Sequence, residues 1–211
     1  MPFRRQNPDM LHRFIPIVAG ALLLGVLPPA GVEAAERDPD WPCVQILVPT
    51  LSPGQIWSGD PIEGKEGAWH DIPGIEPVLK QATDRSVEVD QAEAAVERFA
   101  ETLGPDRNAV LTALFAGVFD TLNRERSEAI AAVQRYARQQ RALLDSIAEG
   151  LSSMQGLPPQ SPEAAALKED IAWRRRIFDE RRRYQTAMCD QPVQLEQRLG
   201  RLARTIASHL D

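Results

Sequence analysis

Apolar side chains recur every three or four residues along the middle of the chain, which is typical of a helix with one apolar face. Between Pro105 and Pro158 there is no proline, and residues that favour helix predominate. We therefore predict one long helix, or two stacked end to end, over residues 106–155, with Asp106 accepting main-chain N–H bonds at its first turn. Its apolar face consists of Leu111, Phe115, Val118, Leu122, Ile130, Val133, Ala137, Leu144, Ile147, Leu151 and Met154.

This apolar face is interrupted at residues 123–128, none of which is apolar. The step from Leu122 through Arg126 to Ile130 adds a four-residue spacing, the pattern of a stutter that unwinds a supercoil locally. The sequence allows either a kink here or a straight rod of about 75 Å. A helix of that length needs another helix along its side.

Two further helical segments follow a reversal at residues 156–162, where glycine and prolines end the long helix. Ser161 is placed to cap the first segment and Pro162 suits its first position. Residues 189–192 predict a turn or break before a last helix with a leucine-rich face. Together the two segments match the long helix in length. The predicted fold is therefore all-α: a long antiparallel helical hairpin or bundle, with a helix at residues 86–103 packed on it.

The segment before these helices has a different composition. Residues 37–78 contain seven prolines and five glycines, but also three of the four tryptophans of the protein. No long helix or strand fits that many breaks, yet so apolar a segment is unlike a disordered linker. We expect an extended Pro/Trp-rich N-terminal arm laid over the helical body, with Trp41 and Trp57 making the contacts.

Three parts of this arm have local signals. Residues 44–48 have the composition of a short strand, but no second strand is evident to pair with them. Ser52 and Pro53 predict a single helical turn, and residues 77–83 predict another. Residues 59–74 are polar and rich in glycine, so we expect an exposed loop there.

The first 35 residues have the order of a secretory signal peptide. Arg4, Arg5 and Arg13 make the start positive, residues 14–27 are apolar, and small residues around Ala34 suit cleavage. An uncleaved anchor is the alternative, but the apolar run of about 14 residues is shorter than the roughly 20 that span a bilayer. We expect a signal peptide at 1–35, the arm at 36–84 and a helical bundle domain at 85–211, with no stable membrane span after cleavage.

The compartment bears on the two cysteines. Arginine far outnumbers lysine and alanine is abundant, which indicates a bacterial protein from a GC-rich genome. Export would bring it to the periplasm, where disulfides persist. Cys43 and Cys189 are the only cysteines, so one bridge between them is the only intramolecular pairing. Such a bridge would fasten the arm; two buried free thiols are the alternative.

The charge balance limits the class of partner. The chain has 24 basic and 30 acidic residues, a net charge of −6, which argues against a nucleic-acid binder. Acidic residues predominate over residues 36–106 and basic ones afterwards. Charges of opposite sign on the two halves suggest that the halves lie against each other.

No motif predicts catalysis, a metal or another cofactor. Outside the signal peptide there are only two histidines, and there is no H-E-x-x-H, C-x-x-C-H, phosphate-loop or nucleophile-elbow pattern. His70 stands beside Asp71, and Cys43 is a conceivable nucleophile for them, but no oxyanion-hole motif accompanies them. Ordinary loop chemistry is the stronger interpretation.

Two runs of arginine mark the return helix. Arg174, Arg175, Arg181 and Arg182 are candidates to contact an anion or a partner, because guanidinium groups bind carboxylates and phosphates. The alternative is pairing with nearby acids such as Asp170, and the spacing of those acids favours it.

Two functions remain for this sequence. The first is a periplasmic, non-enzymatic helical protein that acts by protein–protein contact, as a scaffold, accessory subunit or assembly factor of an envelope system. The second is a small-ligand (anion) binding protein or enzyme, with a pocket between arm and bundle lined by Trp41, Trp57 and the arginines of the return helix. An envelope protein is the expected partner, and the apolar helix faces also allow a homodimer.

Overall fold

Four α-helices form the fold of the described part of the chain. The computed structural model describes residues 38–211, so the signal peptide predicted at 1–35 lies outside the described residues. The helices are α1 (Ile75–Thr83), α2 (Val89–Glu101), α3 (Arg107–Gln155) and α4 (Pro162–Ala207), and residues 38–211 contain no strand. The predicted all-α fold is confirmed.

Helices α3 and α4 form a long antiparallel hairpin. α3 is continuous for 49 residues, about 75 Å, and passes through the predicted stutter unbroken. Its Arg126 contacts Glu196 of α4, and near the C-terminal end of α3 Gly150 lies against Ile171 of α4. The two helices thus lie side by side over most of their length.

The hairpin turn is capped as predicted, whereas the start of α3 is not. Ser161 Oγ accepts the N–H of Ala164 at 3.1 Å, and Pro162 occupies the first position of α4. Asp106 stands before α3, but its side chain makes no capping bond. Its backbone, with φ −86° and ψ 15°, departs from the extended conformation in which a capping side chain usually reaches back over the first turn.

α4 continues through Pro192, so the predicted break at residues 189–192 is wrong. An interior proline costs about 3 kcal/mol or more. Pro192 is itself buried, and Leu195, Leu199 and Leu202 after it are at most 2% exposed. Each such leucine stabilises the fold by about 1.5–3 kcal/mol. Their combined burial holds the helix together across the proline.

The main core lies at the open end of the hairpin, where α1 and α2 pack against α3 and α4. α2 presents a small apolar face there, and α3 is buried all round from residue 111 to residue 118. Fully buried side chains from each helix meet in this core, including Ile75, Val96, Leu111, Leu114, Phe115, Leu199 and Ile206. Among residues 38–211, no helix is both long and apolar enough to cross a membrane.

Residues 59–74 are mostly exposed, as predicted, but apolar side chains within them anchor the segment to this core. Ile62 is buried, and the 3₁₀-helix Ala68–Asp71 packs Trp69 against the core. A Cβ at Gly117 of α3 would lie 3.0 Å from Trp69, so glycine there makes room for the indole. The predicted turn at Ser52 and Pro53 is confirmed as the 3₁₀-helix Pro53–Gln55.

Candidate functional site

The arm is joined to the hairpin covalently. The sulfur atoms of Cys43 and Cys189 are 2.00 Å apart, and their Cα atoms are 5.6 Å apart, as in protein disulfides. The bridge links positions separated by 146 residues. In the chain-entropy model, a loop of that length contributes about 5 kcal/mol to the free energy of unfolding. Because Cys43 is in the bridge, His70 and Asp71 have no thiol nucleophile.

A buried guanidinium holds the arm further along. Arg126 is 2% exposed, and its Nε lies 2.5 Å from Glu196 Oε1. Its Nη2 donates to the carbonyl oxygen of Val48, and Nη1 lies 3.5 Å from that of Pro49. A buried charge is tolerated only when it is paired and hydrogen-bonded. The hydrogen bonds that Arg126 needs therefore also hold the main chain at Val48 against the hairpin.

The start of the arm is held by a group of polar contacts to α3. Gln134 donates to Asp38 at 2.7 Å, and Arg138 and Arg141 both donate to Asp40. Hydrogen bonds from Arg138 and then Arg141 hold the pKa of the Asp40 carboxyl below its usual range. Each exposed ion pair adds little by itself, but together the contacts set the position of residues 38–40.

Between these anchors the arm turns apolar side chains to solvent. Val44 is 97% exposed, Ile46 90% and Val48 43%, whereas Gln45 and Leu47 between them are partly buried. Alternation with a period of two is the pattern of a strand. We refer to Val44, Ile46 and Val48 as the exposed strip.

The main chain of the exposed strip is unpaired on its donor side. None of the N–H groups of residues 43–51 donates to another described residue. The carbonyl groups are used instead: Pro42 accepts from Gln185 at 3.4 Å, and Gln45 accepts from the indole of Trp41 at 2.7 Å. The strip is thus fixed in position, and its main-chain donors have no acceptor within residues 38–211. As predicted, the described residues offer it no second strand.

The two arm tryptophans have different roles. Trp57 is 8% exposed and stacks on Phe115 of α3, with ring centroids 4.1 Å apart and planes 5° apart. Its indole N–H donates to the carbonyl of Asp60 at 2.9 Å. Trp41 is partly buried and closes the turn into the exposed strip through its bond to Gln45. Trp57 therefore belongs to the core, and Trp41 to the site of the bridge.

Arg174 is engaged in structural pairing, which is the alternative that the sequence favoured. Its Nη2 lies 2.5 Å from Asp170 Oδ2 one turn earlier, and its Nη1 donates to the carbonyl of Ser146 on α3 at 3.1 Å. The neighbouring Arg176 lies over the ring of Trp173, 5.6 Å from its centroid. Of these contacts, only the bond from Arg174 to Ser146 joins α4 to α3.

The other three candidate arginines are exposed. Arg175, Arg181 and Arg182 make no ion pair with any residue of the described chain. Arg182 alone of the four lines a cavity beside the arm, next to Pro39 and Pro42. Arg182 thus differs from the other candidate arginines in lying beside the arm. Nothing in the sequence separates Arg182 from its neighbours, because the arm residues beside it are distant in the chain.

A larger cavity of about 690 Å³ lies between α4 and the connection from α1 to α2. Two of its arginines are engaged with the protein: Arg198 donates to the carbonyls of Ala82 and Val87 at 2.7 and 2.8 Å, and Arg201 donates to Glu93 and Asp90. Burial lowers the pKa of Arg198, while the hydrogen bond with Glu93 raises that of Arg201. These cations fasten the corner between α1 and α2 to α4, and we assign no ligand there.

Comparisons with known proteins return no match. No protein-family model matches the chain, and no curated protein or solved structure is significantly similar to it. Over residues 38–211, no three or more His, Cys, Asp or Glu side chains are grouped so as to hold a metal ion. The function must therefore be inferred from the arm and its exposed strip.

Proposed function

We propose that this protein is exported to the bacterial periplasm and acts there without catalysis, by protein–protein contact, as a scaffold, accessory subunit or assembly factor of an envelope system. The observation that carries the proposal is the exposed strip, whose three apolar side chains are open to solvent. The segment that bears them is held in place by a disulfide and a buried arginine. The signal-like start of the sequence and the disulfide support an oxidising compartment.

The restraint on the exposed strip favours binding rather than chance exposure. Single exposed apolar residues are common and need no explanation. Here three alternate along one short segment, and burial of such a side chain contributes about 1.5–3 kcal/mol. The Cys43–Cys189 bridge and Arg126 restrict the backbone before any partner arrives, so less conformational entropy is lost on binding.

The chemistry of the partner follows from the main chain of the strip. Along residues 43–51 the N–H groups have no acceptor among the described residues, and exposed apolar side chains occupy positions 44, 46 and 48. This pattern is complementary to an extended strand or to the edge of a sheet. We propose that the partner is a protein that adds such a strand, supplying carbonyl acceptors and apolar side chains in the same alternation. Val44 to Val48 would then have the second strand that residues 38–211 lack.

Substitutions at Ile46 separate the side-chain contribution from the main-chain contribution. The tagged protein is purified from its native host with whatever is bound, and the bound protein is measured per mole of bait. Ile46→Ala should reduce binding, because apolar contact is lost. Ile46→Pro should abolish it, because proline removes an N–H that a paired strand needs. Ile46→Asp should abolish it as well, by placing a charge in an apolar contact.

One control substitution serves all three variants. Trp173→Ala removes a large exposed side chain from the far part of α4, 56% exposed, and should leave the bound fraction unchanged. Since Ile46 is 90% exposed, the free energies of unfolding of its variants should lie within about 0.5 kcal/mol of the wild-type value. Undiminished binding by both Ile46→Asp and Ile46→Pro would refute the proposal. A dimer that Ile46→Asp dissociates in light scattering would instead make the partner a second copy of this chain.

A further inference from the structure

A second exposed surface lies on α4, in the part of the hairpin away from the main core. Trp173 is 56% exposed and Tyr184 60%. Eleven residues separate them, about three turns of helix, so both side chains lie on one side of α4, roughly 16 Å apart along its axis. Partly buried Ile177 lies between them on that side, and Arg176 covers the ring of Trp173. We refer to this side of α4 as the aromatic face.

The aromatic face is flanked by arginines. Residues 173–184 contain six arginines and two acids, in a chain whose net charge is −6. Helical geometry places Arg176 and Arg183 along one border of the face and Arg181 along the other. All three are exposed, and none forms an ion pair with a residue of the described chain. Glu180 is the one acid on the face itself, so positive charge predominates there.

The neighbouring stretch of α3 leaves this positive charge unmatched. Tyr136 of α3 donates to the carbonyl oxygen of Arg181, which places residues 129–144 alongside the aromatic face. That stretch contains no acidic residue. Asp145, the next acid along α3, is nine residues from Tyr136 and therefore lies on the opposite side of the helix. The aromatic face is thus open to a partner of negative charge.

We propose that the aromatic face binds the surface of a membrane that contains anionic phospholipid. Tryptophan and tyrosine favour the interface between lipid and water, because each joins an apolar ring to a polar group. Clusters of about four to eight arginines or lysines on an amphipathic helix are typical of binding to anionic lipid, and guanidinium groups bind phosphate. Trp173 and Tyr184 lie in line along α4, so a helix lying flat on a membrane brings both into contact at once. This linear arrangement favours a flat lipid surface over an acidic protein.

The test is flotation of the purified, disulfide-intact protein with vesicles of phosphatidylcholine, with or without phosphatidylglycerol. We expect binding only to the vesicles that contain phosphatidylglycerol, and release from them at high salt, which screens charge. The pair Arg176→Gln and Arg181→Gln should lower the partition coefficient about 25-fold, since each arginine near an anionic surface contributes about fivefold. Trp173→Ala should lower the partition coefficient as well, because an interfacial ring is lost.

The matched control is the pair Arg175→Gln and Arg182→Gln, which removes the same charge from the opposite side of α4. The helix diameter of about 10 Å is close to one Debye length, so this pair should weaken binding by less than about threefold. Equal losses from the two pairs, equal binding to both kinds of vesicle, or binding to neither would overturn the proposal. Ile46→Ala should bind vesicles normally, and Trp173 contacts lipid rather than the partner strand, so failure here and failure of the contact function are distinguishable.

Discussion

Two polar side chains, Arg126 and Gln140, occupy positions in the apolar face of α3, and both lie where the arm crosses that helix. They are 2% and 7% exposed, respectively. Arg126 has its hydrogen bonds satisfied by the arm and by α4, whereas Gln140 has none among the described residues. Arg126 therefore stabilises the position of the arm, whereas Gln140 is a buried amide without a partner among the described residues.

Replacing Arg126 should release the arm from the middle of the hairpin. Arg126→Met keeps an apolar stem in the face of α3 but leaves the Val48 carbonyl and Glu196 without their donor. We expect the free energy of unfolding to fall by about 2 kcal/mol, measured by urea denaturation. Arg124→Met, an exposed neighbour, should change it by less than about 0.5 kcal/mol. Equal effects of the two substitutions would show that Arg126 does not anchor the arm.

Asp40 should make the anchoring of the arm sensitive to acid. Arg138 and Arg141 lower its folded-state pKa below the ordinary value of 3.8. A lowered pKa stabilises the folded state above the unfolded-state pKa, and the contribution is lost as the pH falls through the folded-state value. In urea denaturation, wild type should exceed Asp40→Asn in stability near neutral pH, and the difference should vanish in strong acid. A difference that persists undiminished at about pH 2 would contradict this assignment.

At the scale of helices, two glycines should respond in opposite ways to alanine. A Cβ at Gly200 of α4 would meet nothing closer than the flexible end of Arg204, at 3.5 Å. Gly200→Ala should therefore stabilise the protein by about 0.5–1 kcal/mol, the gain in helix propensity. A Cβ at Gly150 of α3 would lie 3.0 Å from Cγ1 of Ile171, which is buried and β-branched, so Gly150→Ala should give no gain or a net loss of about 1 kcal/mol. Thermal unfolding measures both, and stabilisation by Gly150→Ala would show that the two helices can move apart there.

Most of the helical architecture could be predicted from spacing alone. Apolar residues at three-and-four intervals define α3, and Ser161 with Pro162 defines the start of α4. The predicted break at residues 189–192 failed because the cost of Pro192 is local, whereas the burial that offsets it comes from contacts with α3 and α2. The anchoring of the loop at residues 59–74 to the core was missed for a similar reason: Trp69 packs against Gly117, which is distant in sequence.

The candidate site was less predictable than the fold. The two cysteines allowed one internal pairing, and the structure brings them to bonding distance. The burial of Gln140 was not predicted, although its place between Ala137 and Leu144 in the three-and-four spacing marks a polar residue in an apolar face. The exposure of Val44 and Ile46 depends on which way the arm faces, and the local sequence does not determine that.

At the scale of the whole molecule, the disulfide separates the stability of the arm from that of the helices. In Cys43→Ala, far-UV circular dichroism should show nearly unchanged helix content, because the hairpin has its own apolar faces. The arm near Trp41 should become open to protease, while Trp57 stays buried on Phe115. The free energy of unfolding should fall by up to about 5 kcal/mol. Loss of most helicity would show instead that the arm is needed for the hairpin to form.

The central claim is that the fixed arm presents the exposed strip to a partner strand, and site-specific photo-crosslinking in the native host tests it most directly. A photo-reactive residue is placed in turn at positions 44 to 48, and at Trp173 as a control. We predict adducts with one protein from positions 44, 46 and 48, far weaker ones from 45, 47 and 173, and loss of the adduct from position 44 when Ile46→Pro is added. Adducts without this alternation, or equally strong from position 173, would contradict the claim.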